Sequence, residues 1–150
     1  MKHIKKICIA FIVAIFLVAC QSPEKKVTYK HSVKGGELLI TFTAKDGLVT
    51  KQEIFAELKL SDLGITQKQA EQSIRPISKQ YQSVKGITET LDITDTLIKE
   101  HVILDYTILD FKAAKNLPGF IMDDDITDAS QLTLESVTEK LEKAGAVKQP

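Results

Sequence analysis

The sequence predicts an α+β domain: an antiparallel β-sheet of about five strands with two main helices packed on one face, in the order β-β-β-α-β-β-α. Three observations lead there. Short stretches of alternating apolar and polar residues follow one another across tight turns, which means antiparallel pairing. Two longer stretches repeat their apolar residues at helical spacing. The strands alternate on one side, so the helices cover one face of the sheet.

The first residues stand apart from this domain. Met1 to Lys6 is a short positive start, and Ile7 to Ala19 is apolar without a charge or a proline. A membrane-spanning helix needs about 20 residues, so this run is short for a permanent span; its layout is that of a secretory signal. It ends Leu17-Val18-Ala19-Cys20, followed by Gln21-Ser22-Pro23. This ending resembles the bacterial lipobox, in which the cysteine thiol takes a diacylglyceryl group and a peptidase then cuts before it. A thiol is the nucleophilic atom such chemistry needs. Cys8 lies inside the signal, so Cys20 is the single cysteine of the mature chain and has no internal partner. Lipidation of Cys20 accounts for it. Each buried methylene of an acyl chain adds ~0.8 kcal/mol, and two chains hold where one does not.

The expected domains are therefore a lipoprotein signal peptide at 1–19, a lipidated cysteine with a short polar tether at 20–26, and a single α+β domain at 27–150. The mature chain keeps 17 basic residues against 20 acidic ones. It offers no basic stripe for nucleic acid and no polybasic patch for anionic lipid. The expected membrane contact is the N-terminal lipid itself, on the extracytoplasmic face of a bacterial membrane. With no tryptophan and three tyrosines, platforms for stacking sugars or bases are poorly supplied. The domain is expected to be monomeric, to need no cofactor, and to meet an envelope protein or ligand that the sequence does not identify.

Val27, Tyr29 and Val33 alternate with Thr28, Lys30 and Ser32 as a first strand, and Lys34-Gly35-Gly36 is a turn. Leu38, Ile40, Phe42 and Ala44 alternate with Leu39, Thr41, Thr43 and Lys45 as a second strand. Asp46-Gly47 is the strongest two-residue hairpin signal. The run from Leu48 to Leu60 is less regular, with Ile54, Ala56, Leu58 and Leu60 as its apolar set. Thr66 and Gln69 form a capping box. It opens a helix whose stripe is Ala70, Ile74, Ile77, Tyr81 and Val84, and Pro76 inside it removes one backbone donor and predicts a kink or short break. Lys85-Gly86 ends this helix. Ile87, Leu91 and Ile93 make a fourth strand. The fifth, over 98–109, carries Val102, Leu104, Tyr106 and Ile108 on one face and His101, Ile103, Asp105, Thr107 and Leu109 on the other. That pattern suits an inner strand with both faces partly covered. Residues 110–116 read as a helical turn. Thr133 caps the last helix, whose stripe is Leu134, Val137, Leu141 and Ala144, with Leu132 and Val137 as a hydrophobic staple and Gly145 as the stop.

Pro76, Tyr81, Gly86, Ile93-Thr94-Asp95-Thr96, Asp110-Phe111-Lys112-Ala113 and Ala144-Gly145 stand in an order and spacing that resembles the YehR-like lipoproteins. The resemblance runs from about Gly36 to Val147 and includes the lipobox. It implies an α+β domain with an antiparallel sheet and a lipid anchor. It carries over no catalytic residues.

Few residues offer chemistry. Asp123, Asp124, Asp125 and Asp128 could gather oxygens for a hard cation, but they lack the spaced ligands of a calcium loop. The expected reading is a solvated loop. His31 and His101 are the mature histidines, with Asp105 on the same strand face as His101. They supply too few ligands for zinc, so no metal site is expected. No serine sits in a nucleophile elbow, and Gly35-Gly36 precedes no helix that could cradle phosphate. A threonine series, Thr28, Thr41, Thr43, Thr88, Thr90 and Thr94, falls on the polar side of the strands. The reading is a non-enzymatic, lipid-anchored binding or envelope-support module. The alternative is a small-ligand or enzymatic domain with a pocket between helices and sheet, which a deep apolar cavity would favour.

Overall fold

The computed structural model describes residues 22–120 and 122–150. The expected signal peptide at 1–19 and the expected lipidation site Cys20 lie outside the described residues. Six strands form one antiparallel sheet: β1 (Lys25–Val33), β2 (Gly36–Lys45), β3 (Leu48–Lys59), β4 (Ile87–Ile93), β5 (Leu97–Asp105) and β6 (Val147–Lys148). Their order in space is β4-β5-β3-β2-β1-β6. The helices are α1 (Leu60–Leu63), α2 (Gln67–Gln82), α3 (Phe111–Ala114) and α4 (Leu134–Lys143), with a 3-10 turn at Ala129–Gln131. The expected α+β class holds, with a sixth strand added. β6 is two residues long and pairs with Tyr29 and Lys30 of β1 as the chain returns from α4.

The local signals explain the hairpins. Asp46 and Gly47 both take positive φ, 53° and 81°, the pair of values that matches the right-handed twist of flanking strands. β2 and β3 slip register between Thr43 and Ala44, leaving Thr50 as the extra residue of a bulge, and the Thr50 hydroxyl bonds the Thr43 carbonyl at 3.2 Å. At Gly86, φ is +88° and a Cβ would stand 2.5 Å from Leu109 Cα. Only glycine lets the end of α2 pass so close to the loop after β5.

Both helix caps form as the sequence predicts. The Thr66 hydroxyl accepts the Gln69 N–H while the Gln69 side chain reaches back to the Thr66 N–H, and Thr133 accepts from the Ser136 N–H. Of the kink or short break expected at Pro76, the break does not occur: α2 runs as one helix from Gln67 to Gln82. A proline removes a single main-chain bond, and this helix keeps Ala70 and Ser78 buried on either side of it.

Val27, Tyr29, Ile40, Phe42, Val49, Val102 and Leu104 face the helices and pack with Leu132 and Leu134. These side chains fill the middle of the layer between sheet and helices. Leu132 and Val137 join the same cluster, as the expected staple requires. Ile108 departs from the expected strand face: it lies in the turn after β5 and is 50% exposed. Tyr106 ends the buried series, its hydroxyl donating to Gln52 Oε1 at 2.5 Å, and burial holds its phenol above the ordinary value.

A second, smaller cluster of Leu60, Ala70, Ile93 and Ile98 sits under α1 and the start of α2. Between the two clusters the covered face is polar. Ser78 on α2 and Glu89 on β4 are both buried there, and Glu100 on β5 is half-buried beside them.

The sheet ends at β4. Thr94 N bonds back to Leu97 O, so the even-numbered residues of this strand turn toward β5 and the odd-numbered ones turn outward. Two of those outward carbonyls are taken by glutamine amides from α2: Gln67 donates to Ile93 O at 3.2 Å and Gln82 donates to Glu89 O at 3.3 Å. Side chains thus occupy part of an edge that could otherwise accept another strand.

Candidate functional site

Among the described residues the helices lie over one face of the sheet, and the other face is bare. Successive side chains of a strand point to opposite faces, so the strands that bury Ile40, Ile54 and Val102 turn Leu39, Phe55, Glu53, His101 and Ile103 outward. The register aligns these into cross-strand rows. Leu39 lies opposite Phe55, Phe55 opposite His101, and His101 opposite Thr90, a row across four strands. Leu39 is 43% and Phe55 48% exposed. Large apolar side chains on a wet sheet face are the informative exception to burial when they stand together.

The row is held in place. Phe55 and His101 stack with ring centroids 3.8 Å apart and planes 10° from parallel. His101 Nε2 lies 2.9 Å from Glu53 Oε1. The histidine ring is thus fixed on one side by an aromatic face and on the other by a carboxylate, from two positions of β3.

The neighbouring row is charged. Glu37, Glu57, Lys99 and Asp92 follow one another across β2, β3, β5 and β4. Glu37 stands directly opposite Glu57, a repulsive arrangement on its own. Each acid is answered from the side: Lys30 Nζ lies 2.5 Å from Glu37 Oε1, and Lys99 Nζ lies 3.2 Å from Glu57 Oε2. Rows and edge together border an open concavity of about 990 Å³, with Leu39, Phe55 and His101 on its floor and Glu37, Lys59 and Asp92 on its rim. It lies on the bare face, away from the helices.

The residues singled out in the sequence are dispersed. His31 is on the covered face of β1, with its Nδ1 buried and lacking a bonding partner among the described residues, while His101 is on the bare face of β5. β2 and β3 separate them. Asp105 shares the face of His101 but spends its carboxylate on the turn, accepting from Thr107 N at 3.0 Å and from the Thr107 hydroxyl.

In the acidic loop, Asp123 pairs with Lys140, and Asp128 caps the 3-10 turn through Ser130 N at 2.8 Å. Asp124 and Asp125 contribute main-chain carbonyls to Lys115 and Gln131. Among the described residues, no three His, Cys, Asp or Glu side chains converge as metal ligands do, and no helix is long and apolar enough to cross a membrane.

The threonine series splits. Thr28 and Thr41 bond each other at 2.9 Å, Thr43 is buried, Thr88 and Thr90 stand at the far side of the sheet, and Thr94 accepts Leu97 N inside the turn. The apolar row lies between the two halves. The signal for it was a single aromatic, Phe55, out of phase with the buried set Ile54, Ala56 and Leu58.

A family model described as a protein of unknown function, DUF1307, matches residues 25–146. The chain belongs to this family. Among relatives of this DUF1307 member, an uncharacterised lipoprotein of Listeria innocua is 30% identical over 131 residues, covering 85% of this chain and 86% of the relative. The uncharacterised lipoprotein YehR of Escherichia coli is 30% identical over 112 residues, 74% of this chain and 73% of the relative. The resemblance to YehR-like lipoproteins is therefore one of family. The NMR structure of E. coli YehR superposes with a TM-score of 0.68 at 27% identity, over 85% of this chain and 91% of that one. An NMR structure of a Streptococcus pneumoniae protein matches with a TM-score of 0.59 at 15% identity, over 99% of each chain, which speaks to the fold alone.

Proposed function

We propose that this chain is exported, cut before Cys20 and lipidated on that thiol. It then stands on the outer side of a bacterial membrane as a non-enzymatic recognition module for an envelope polypeptide. The anchor rests on Leu17-Val18-Ala19-Cys20 and on relatives that are themselves called lipoproteins. The recognition surface rests on one observation: half-exposed Leu39 and Phe55, aligned with a doubly held His101, on the face that no helix among the described residues covers. An apolar centre with a rim carrying both signs of charge is the composition of a protein–protein contact. The partner that fits it presents an apolar or aromatic anchor over Phe55 and charged groups toward Glu37, Lys59 and Asp92. Two rings already ordered by stacking lose little freedom on binding.

Labelling cells with a fatty-acid analogue tests the anchor: Cys20→Ser is expected to lose the label, and equal label in both chains sinks the idea. A photoreactive residue at position 55, in intact cells, tests the surface. A discrete adduct is expected there, lost with Leu39→Asp and absent when the probe sits at Lys79 on exposed α2. Equal adducts from both positions would refute a specific face. Sedimentation of the purified chain separates a foreign partner from self-association, since a dimer broken by Leu39→Asp would assign the face to a second copy.

A further inference from the structure

The covered face of the sheet contains two acids where its pattern calls for apolar residues. Glu89 stands between Ile87 and Leu91 on β4, and Glu100 between Ile98 and Val102 on β5. Glu89 is 5% exposed. The register sets Glu89 opposite Val102 and Glu100 opposite Leu91, so the two carboxyls are diagonal neighbours on adjacent strands, a separation that long side chains span. Yet neither Glu89 oxygen has a donor among the described residues, because two ionised carboxylates offer acceptors only. No lysine, arginine or histidine among the described residues forms an ion pair with either. A buried charge without a cation or a donor is strongly unfavourable.

The elements packed around the pair supply no neutralising group. From α2, Gln82 donates to the Ser78 hydroxyl and to the Glu89 main-chain carbonyl, and to neither carboxylate. Tyr81 is the titratable side chain that α2 brings near. Its hydroxyl donates to Pro118 O at 3.0 Å, and burial, then Glu100 and Glu89, hold its phenol above the ordinary value, so it stays neutral. Arg75 of α2 is engaged with Glu71, its Nη2 2.8 Å from Glu71 Oε1. From β3, Ile54 and Ala56 lie beside Val102 and Glu100 and carry no charge. Asp92, Lys99 and His101 belong to the opposite face.

We propose that Glu89 and Glu100 hold a single proton between them, and that this proton latches α2 onto the sheet. With it in place, one carboxyl becomes a donor to the other, one of the two negative charges is gone, and the polar seam between the two apolar clusters closes. Remove it, and two negative charges face each other under the C-terminal half of α2. Burial first, and then the neighbouring Glu89, hold the Glu100 carboxyl up at about 7, in the same sense. An unfolded chain gives up that proton near 4.5. Between these values the folded state holds more protons than the unfolded one. The stabilisation is complete below this window and is lost as pH rises through it. Exposed Glu71, Asp128 and Glu139 act the other way: their bonds to Arg75, Ser130 and Lys143 hold them below the ordinary range, so their contribution is lost in acid.

Urea unfolding of the full chain in detergent, from pH 4 to 9, tests this against Glu100→Gln and Glu89→Gln, in which an amide replaces the shared proton as donor. Relative to Glu100→Gln, the wild-type unfolding constant is expected to rise by up to about tenfold per pH unit across the window and to level off above it. At pH 8.5, α2 amides of the wild type are expected to exchange faster than those of Glu100→Gln, with β1 and β2 amides matching. The infrared band of a protonated carboxyl is expected to persist to neutral pH in the wild type and to vanish with a midpoint near 7. This reading needs no variant to fold. Identical pH profiles for wild type and Glu100→Gln, or loss of the whole band below pH 5, would overturn the latch. So would a midpoint that moves with added calcium or potassium at constant ionic strength, because a cation would then occupy the proton's place.

Discussion

Phe42 and Phe55 are the same residue on neighbouring strands, and they face opposite ways. Phe42 is 4% exposed and packs under the helices; Phe55 is 48% exposed on the bare face. The covered ring contributes its full transfer free energy to folding. The bare ring contributes a stack with His101 and little more. Apolar area kept where it adds little to stability is area available to something else, and this contrast is what separates the scaffold of the molecule from its candidate surface.

The sharpest test of the contrast is to shorten both rings. Phe42→Ala in the full chain is expected to lose about 3–5 kcal/mol of unfolding free energy, read from denaturant melts. Phe55→Ala is expected to lose under about 1 kcal/mol, the range of a cross-strand pair, while abolishing the cell-surface adduct that a probe at position 39 forms. A loss at Phe55 matching that at Phe42 would make the bare face part of the scaffold. Between these extremes lie the boundaries of the covered face. Gln67→Ala with Gln82→Ala removes two edge bonds and is expected to lose about 1–3 kcal/mol in sum, with a light-scattering increase on concentration as the added sign of an opened edge. Thr66→Ala removes a cap and is expected to lose about 1 kcal/mol, with amide exchange rising in the first turn of α2.

Most of the scaffold was legible because its signals are local. Asp46-Gly47, the Thr66–Gln69 box and Thr133 act on residues within three or four positions of themselves, and each does in three dimensions what its neighbourhood in sequence implies. The sixth strand was not legible. Val147 and Lys148 carry no strand pattern of their own, and they pair with Tyr29 and Lys30 only because α4 delivers them there. The order of strands was hidden for a similar reason: β3 lies between β2 and β5, and such long-range adjacency leaves no mark on any single run.

The candidate surface was half legible. An alternation that buries Ile54, Ala56 and Leu58 commits Phe55 to the other face, but its alignment with Leu39 and His101 needs the register. The acid pair was legible in principle. Ile87, Leu91 and Ile93 define a face, and Glu89 sits on it two residues from each of its neighbours in that series. The same arithmetic puts Glu100 on the face of Ile98 and Val102. What no pattern of one strand can supply is that the two meet.

The glutamine amides at β4 carry one more consequence. A sheet edge guarded by its own charges or a proline stays guarded however the rest of the molecule moves. Here the guards are borrowed from a helix, since Gln67 and Gln82 reach the edge only while α2 is docked. Whatever lifts α2 also uncovers a ready template for an incoming strand. Undocking of that helix is therefore expected to open the β4 edge to pairing with another chain while the rest of the sheet is still formed.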